Sequence, residues 1–536
     1  MGSVASRIKF VYRLLADIDA DFRAVEARLK ESPGLPVDNP TTSFWTVPAS
    51  PLATRQDTLP PHVDVAIIGS GITGTACARA LLARQCDGAP LSVVMLEARE
   101  TCSGATGRNG GHIAPDMFHD YAELRQDHGI DMARKIVRFR LAHLEELMRV
   151  ADEEGATECS QIRAVERLDV HFELERYEKM KAALELCKAD MPEEARDVYA
   201  VDGEDAVKVR QVQFLNVIMY TIVSLQRFLL SPQIVGVIAM PAGALHPYRL
   251  VTSILSNLLT RYADTFRLRT HTPCTAIDPP SAASPHYIIH TPSGPLTAAH
   301  VVHATNGWAP HLLPGMRTKI LPVRAHMSAQ RAGRALAPTV LSSGRAHVFY
   351  VGHPHGMDYL TQLPGAHGTL LFGGGSAPAG RMVLAEVGCA DDAHTHTGIA
   401  SHVGGAMPGY FGHANWGAEG VPGGDEGEAG WGEGRVMALW TGVLGASADD
   451  FPWVGRVPFK ISGRSSGVGA VGGGEWMAAG YSGEGMVHAW MCGRALAYMI
   501  LGVEDEMQLS EWFPAVYRVS EARWKKATLE RLAGEF

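Results

Sequence analysis

Residues 64–74 read Asp-Val-Ala-Ile-Ile-Gly-Ser-Gly-Ile-Thr-Gly, an apolar strand running straight into a Gly-x-Gly-x-x-Gly turn. A second apolar run, Leu91–Glu97, ends on an acid. Strand, glycine turn, helix, strand and terminal acid in one unit answer the demands of a dinucleotide. Gly69 is expected to permit the tight turn, Gly71 to let the backbone approach a pyrophosphate, and Gly74 to let helix pack on strand. Ile72 and Thr73 lie within that turn, and the helix expected from Thr75 to about Ala83 points free N–H groups and its positive end at the phosphates. Glu97 stands where a carboxylate accepts hydrogen bonds from an adenosine ribose, with Ala98 and Arg99 beside it. That acid disfavours NADP but leaves both FAD and NAD open.

A chain of 536 residues can bury a large core, and its length suggests two or three domains. Its net charge of −9 lacks the basic excess that a nucleic-acid partner calls for. The eight cysteines are scattered with no Cys-x-x-Cys pair, the pattern of a reduced chain without disulfide framework or zinc site. The N-terminus lacks the uninterrupted apolar core of a secretory signal, and Val217–Leu230 is too short to span a bilayer. The expected location is cytoplasmic. Residues 7–30 carry apolar side chains at spacings of three and four, an amphipathic helix best read as packing on the main body. Met1–Ser6 also fits the N-myristoylation pattern, which with the helix would give only weak, reversible membrane contact.

A second glycine-dense segment, Thr101–His112, reads Thr-Cys-Ser-Gly-Ala-Thr-Gly-Arg-Asn-Gly-Gly-His. Four glycines around an Arg-Asn pair make a poor helix or strand but a good close-fitting loop. Far downstream stand Ala304-Thr305-Asn306, Asp449–Gly455 and Ala479–Met486, the last reading Ala-Gly-Tyr-Ser-Gly-Glu-Gly-Met. In this order the four segments resemble those of the FAD-dependent amine and amino-acid oxidoreductases, the superfamily of D-amino-acid oxidase, glycine oxidase and sarcosine oxidase. The Arg-Asn-Gly-Gly segment is nearest to gamma-glutamylputrescine oxidoreductase-like members. The resemblance covers residues from about 60 to 505.

The resemblance implies an α/β fold with an α+β insert: a Rossmann-like FAD-binding domain joined to an antiparallel-sheet substrate domain. The expected layout is an N-terminal helix (1–32), a Pro-rich linker (33–61), FAD-domain segments at 62–150, 241–320 and 436–505, substrate-domain segments at 151–240 and 321–435, and a C-terminal helix (506–536). The cofactor is expected to be noncovalent FAD, because no Cys occurs between 390 and 491, where sarcosine oxidase carries its tether. Further cofactor contacts are expected from Ala105, Thr106, Gly107, Asn109, Gly110, Gly111, Cys274, Thr305, Asn306, Gly455, Gly483, Gly485 and Met486. Glu484 replaces the family's usual His.

The resemblance implies oxidation of the C–N bond of a small amine or amino acid, with hydride passing to flavin N5 and an imine leaving. Such chemistry needs no nucleophile or metal. Arg108, Asn109, Tyr359 and Gln362 are the candidates near the ring; Arg108 serves equally well as a brace for a phosphate or carboxylate. No lysine corresponds to the one that activates oxygen in sarcosine oxidase, so the acceptor is O2 or another electron carrier. Oxidation of a C–OH or ring C–H bond, and a flavin-binding sensor or scaffold without turnover, are the alternative functions. The His353-Pro354-His355 and His394-Thr395-His396 pairs lie in apparent loops without further ligands, and no metal is expected.

Overall fold

The computed structural model of the chain describes residues 19–84, 90–203, 228–282, 284–336, 344–352, 356–365, 368–375, 380–417, 434–464 and 473–529. The lipidation pattern at Gly2, most of residues 203–210, whose pattern predicts a helix, most of the apolar run 217–230, the His353–His355 pair and most of the glycine-dense stretches 418–434 and 461–475 lie outside the described residues.

The first sheet grows from the glycine-turn unit. Parallel neighbours run in the order β17 (Gly474–Ala479), β10 (Leu296–His303), β1 (His62–Ile68), β2 (Val93–Leu96) and β7 (Phe266–Arg269). β16 (Trp453–Arg456) pairs antiparallel with β17, and β8 (Ala276–Asp278) and β9 (Tyr287–His290) extend antiparallel from β10. Val65, Ala66, Ile67 and Ile68 are all buried, as a central parallel strand covered on both faces requires. The helices Ile72–Leu82 and Ala489–Leu501 lie together on this sheet. They meet closely because residue 493 is glycine: a Cβ there would stand 2.4 Å from the Thr73 carbonyl oxygen.

The second sheet is mostly antiparallel, in the order β15 (Val436–Ser447), β11 (Ile320–Gln330), β14 (Leu370–Gly374), β13 (Met357–Gln362), β12 (Ala346–Tyr350), β4 (Arg163–His171), β6 (Gly236–Ala244) and β3 (His112–Ile113). Among these neighbours only β12 and β4 run parallel, and β5 (Tyr199–Asp202) pairs with the other edge of β6. The expected Rossmann-like domain with an antiparallel partner is the architecture found.

Several expected boundaries move. β15 pairs with β11 from Ile320↔Ser447 onward, so residues 436–447 belong to the second sheet and not to the nucleotide fold. β3 likewise leaves the first domain to pair with β6. The helix expected over Tyr121–Glu154 is two, Tyr121–His128 and Ile130–Glu153, broken at Gly129 where φ is +80°. Among its described residues the C-terminal segment holds the short helices Leu509–Trp512 and Glu521–Lys526 with a 3-10 turn, Ala515–Tyr517, between them, instead of one helix.

The largest correction concerns residues 33–61. Their prolines suggest a linker, yet Trp45 is 1% exposed and its indole N–H donates to the Asn109 carbonyl. The segment is packed into the body. Ahead of it, the helical residues 19–30 bury Val25 and Leu29 beside Leu313 and Val387, and the Arg28 guanidinium donates to the Val387 carbonyl. Among the described residues no helix is long and apolar enough to cross a membrane.

Candidate active site

A long cleft opens at the C-terminal ends of β1, β2 and β10, where ligands of open α/β sheets bind. It encloses about 1240 Å³ of empty space, its open mouth included. The geometry of its floor is set by glycine. Gly69 has φ +108°, and a Cβ there would meet the Ala304 carbonyl oxygen at 2.6 Å, so β1 and β10 converge only because none exists. A Cβ on Gly74 would stand 2.1 Å from the Gly69 oxygen, which fixes how tightly the helix packs back onto its strand. Gly71 caps that helix and faces Thr106, whose Oγ1 accepts from Ile72 N at 3.1 Å. This bond ties the dinucleotide turn to the Arg-Asn-Gly-Gly segment.

Glu97 sits at the tip of β2. Its Oε2 accepts from Ser70 N at 3.0 Å and Ser70 Oγ at 2.6 Å, and its Oε1 from Arg99 N at 3.1 Å. The carboxylate is thereby held at the cleft wall. Cys274 lines the same end, its thiol pushed up to about 12 by burial. At the other end Gly483, Gly485 and Met486 precede the helix Ala489–Leu501, and the Tyr481 hydroxyl meets Thr73 Oγ1 at 2.9 Å. Around the position a Gly485 Cβ would take there is open space to 4 Å. Asn306 Oδ1 accepts from Gly480 N at 3.0 Å, locking the Ala-Thr-Asn strand end to the late glycine segment.

The expected cofactor contacts Gly69, Gly71, Ile72, Thr73, Glu97, Ala98, Arg99, Ala105, Thr106, Asn109, Cys274, Thr305, Asn306, Gly483, Gly485 and Met486 all line this cleft. Gly74, Gly107, Gly110 and Gly111 back its walls instead; a Cβ on Gly107 would strike the Cys102 oxygen, and one on Gly111 the Leu245 oxygen. Gly455 is placed elsewhere, on β16 beside Val519.

Of the four ring candidates only Asn109 lines the cleft; Arg108, Tyr359 and Gln362 do not. Arg108 is buried and spends its donors on the chain: Nε on the Ser103 carbonyl at 2.8 Å, Nη1 on the Thr441 carbonyl at 2.7 Å. Its guanidinium lies 3.4 Å from Asp392, which also takes a two-pronged contact from Arg99 at 2.9 and 3.0 Å. Burial lowers Arg108 to about 10 despite that carboxylate, and Arg99 adds to the lowering. The brace is the role the geometry gives it. Gln362 is the second correction. Side chains three apart on a strand point to opposite faces, so it cannot accompany Tyr359. It is buried between Arg345 Nη1, the Leu336 carbonyl and the Gly368 carbonyl. Tyr359 and Thr361 share the inward face: Thr361 donates to the Gly110 carbonyl, and the Tyr359 hydroxyl donates to Met327 Sδ at 2.9 Å. Asn109 lines the cleft, its Nδ2 donating to the Thr106 carbonyl and its Oδ1 accepting from Gly111 N. His394 pairs with Asp391, and His326 Nε2 accepts from His396 N.

Glu484 points out of the cleft. It stands 3.7 Å from Arg140 Nε and 3.6 Å from His488 Nδ1, and shares a hydrogen bond with Asp116. Burial raises this carboxyl, and the Asp116 and Asp120 charges push the same way against Arg140. For Asp116 burial is outweighed by His119, Arg167 and Arg140, which hold it below the usual carboxylate range.

The residues present suit a dinucleotide with a polar, ring-bearing body. Thr305 Oγ1 and the Trp308 indole N–H line the cleft, are buried, and have no hydrogen-bond partner among the described residues. A family model described as DAO, FAD dependent oxidoreductase, matches residues 64–499. The chain belongs to this family. The flavoenzyme fold recurs in solved structures: L-proline dehydrogenase from P. horikoshii (18% identity, TM-score 0.56, 88% of this chain and 100% of that one), glycine oxidase from Geobacillus kaustophilus (16%, 0.56, 86% and 99%) and L-amino acid deaminase from Proteus myxofaciens (14%, 0.57, 89% and 97%). Gamma-glutamylputrescine oxidoreductase of Escherichia coli (strain K12) is 34% identical over 98 residues, 18% of this chain and 22% of that protein's length. This flavoenzyme is therefore an FAD-dependent oxidoreductase.

Some cleft residues carried no sequence signal. Gly34, Leu35 and Pro36 come from the stretch read as a linker, and Trp308, His311 and Leu312 from a short helical turn beyond β10. Trp308 follows two residues after Asn306, so the Ala-Thr-Asn segment was the one available pointer.

Proposed function

We propose that the enzyme oxidises the C–N bond of a small amine or amino acid to an imine, with FAD bound noncovalently. The observation that carries this reading is the juxtaposition of the FAD cleft with the second sheet: β13 meets the Arg-Asn-Gly-Gly segment through Thr361 and Gly110, with Tyr359 on the same face. The likeness to gamma-glutamylputrescine oxidoreductase favours a secondary amine or polyamine-type substrate. FAD, when bound, supplies the two-electron acceptor for the hydride of a C–H bond adjacent to nitrogen.

The chain's own part is positioning and electrostatics. The helix Ile72–Leu82 presents its N-terminus to the cleft through Gly71, where a pyrophosphate would sit. Gly483 and Gly485, ahead of the helix Ala489–Leu501, would offer backbone amides to negative charge developing on a bound flavin. Asn109, fixed by Thr106 and Gly111, would touch the cofactor or substrate; Tyr359 would shape the pocket opposite it. Arg108 acts through Asp392 to hold the segment in place. Cys274, the cysteine among the described cleft residues, stands at the Glu97 end, away from where the flavin ring would lie, which supports an untethered flavin. The electron acceptor is O2 or another carrier.

The test is an absorption spectrum followed by anaerobic titration with amines, amino acids and N-methyl amino acids. Flavin bands lost from the protein on acid precipitation support noncovalent FAD, and bleaching by an amine supports the C–N reading. A yellow protein that only alcohols bleach overturns it.

A further inference from the structure

The family match starts at residue 64, yet part of the FAD cleft is built by residues before it. Gly34, Leu35 and Pro36 line the cleft. The segment carrying them is fastened at both ends. Ser32 Oγ lies 2.9 Å from His311 Nδ1, and His311 itself lines the cleft on the β10 side. On the β2 side Arg99 Nη1 donates to the Val37 carbonyl at 3.2 Å. Four residues on, Thr41 N donates to the Asp392 carbonyl at 2.8 Å, and Thr41 Oγ1 accepts from Thr441 N at 2.9 Å and from Arg108 Nη1 at 3.2 Å. Beyond this buckle Ser43 and Trp45 are buried and anchor the chain in the core.

We propose that residues 32–41 are a strap over the FAD site, a second wall that sets how fast the cofactor leaves. This inference rests on FAD being the ligand of the cleft. Three observations carry it together. The segment crosses from His311 to Arg99, two side chains on different walls of one cleft. Leu35, a large apolar residue, is 38% exposed while lining that cleft, so a ligand lying beneath it would cover apolar surface. Beside it the Trp308 indole, 8% exposed, has no hydrogen-bond partner for its N–H among the described residues, and the Arg99 guanidinium stands 5.8 Å from that ring. The strap, Trp308 and Arg99 thus form an apolar and cationic enclosure, matched to the adenine dinucleotide part of the cofactor and not to a small amine. Arg99 and Arg108 meet at the Asp392 carboxylate while the Asp392 main-chain carbonyl accepts from Thr41 N, so one residue braces the Arg-Asn-Gly-Gly segment and holds the buckle of the strap.

The experiment compares full-length holoenzyme with the variants Leu35→Ser and Ser32→Ala, following FAD release by the rise in flavin fluorescence after rapid dilution. Both positions are at the surface, so neither substitution opens the core. Leu35→Ser is expected to release FAD about tenfold faster, the equivalent of roughly half a fully buried leucine. Ser32→Ala is expected to act in the same direction by a smaller factor. Amide hydrogen exchange supplies the second readout: residues 33–38 gain protection when FAD is added to wild-type apoprotein and lose that gain in Leu35→Ser. Release rates within twofold of wild type, with unchanged exchange over 33–38, overturn the strap while leaving the cofactor assignment standing. A wild-type chain that binds no FAD overturns the assignment itself.

Discussion

Asp392 offers a quantitative test of how this cleft is held. The residue is fully buried, and within its reach lie two guanidiniums that are themselves almost wholly buried, Arg99 at 2.9 and 3.0 Å and Arg108 at 3.4 Å. Asp392→Ala leaves both cations without their counter-charge. Removing one partner of a buried ion pair costs about 3–5 kcal/mol, and with two cations orphaned the upper half of that range applies. Spread over a chain of this length, at about 2.1 cal/mol/K per residue, that loss lowers Tm by about 4 °C. Asp392→Asn keeps the shape and one acceptor oxygen and is expected to fall between wild type and Ala. The assay is thermal unfolding by circular dichroism at matched scan rates, since a large chain unfolds irreversibly and its Tm depends on scan rate. The effect should also be non-additive: in an Arg99→Leu/Arg108→Leu background, Asp392→Ala is expected to cost much less than in wild type, because the charges it would strand are gone. A shift of less than about 1 °C in the single variant would refute the reasoning, since it would mean that water or rearrangement replaces the carboxylate at almost no cost.

Other substitutions separate the roles assigned to neighbouring residues. Gly74→Ala places a Cβ 2.1 Å from the Gly69 oxygen, so the helix must move off its strand; the expected product is insoluble or FAD-free, measured by yield and flavin-to-protein ratio. Gln362→Leu strands the Gly368 carbonyl and takes one acceptor from Arg345 Nη1, which keeps its bond to the Leu336 carbonyl, so a loss of about 1–3 kcal/mol in stability is expected with KM unchanged. Tyr359→Phe removes only a hydroxyl-to-sulfur contact, so KM or kcat is expected to change while Tm moves by less than about 2 °C; the reverse pattern would make it a packing residue. Glu484 has its folded pKa raised from 4.5 to about 8, chiefly by burial, so its contribution to stability is full below 4.5 and lost as pH climbs through about 8. Glu484→Gln stays neutral, and its Tm relative to wild type is expected to rise across that window; a flat difference would show that the carboxyl is not preferentially protonated in the folded state.

What the sequence revealed was whatever is governed by local chemistry. The strand, the glycine turn and the acid at the tip of β2 were legible because Gly69, Gly74 and Glu97 each satisfy a constraint that few other residues can meet. The late glycine segment was legible for the same reason, and so was Asn306, which joins the two through Gly480. Long-range partnership was not legible. Nothing in the run around Asp392 announces that it faces Arg99 and Arg108 across 293 and 284 positions of chain. Pairing of β15 with β11 was hidden because both strands are apolar enough to serve either sheet.

The ring candidates show where local reasoning fails by its own rules. Tyr359 and Gln362 both lie on β13, but an odd spacing on a period of two sends them to opposite faces, and the structure puts one beside Gly110 and the other beside Leu336. Thr361, at the even spacing, is the true companion of Tyr359 and reaches Gly110. The Pro-rich stretch failed differently: prolines at 33, 36, 40 and 48 argue against helix or strand, and that was read as freedom. A chain without regular structure can still be fixed if its polar groups find partners, and here Val37 and Thr41 bond to Arg99, Arg108, Thr441 and Asp392 while Trp45 fills the core. Rigidity of that kind is a property of the whole molecule, and a segment that acquires it over a cofactor cleft becomes part of the site.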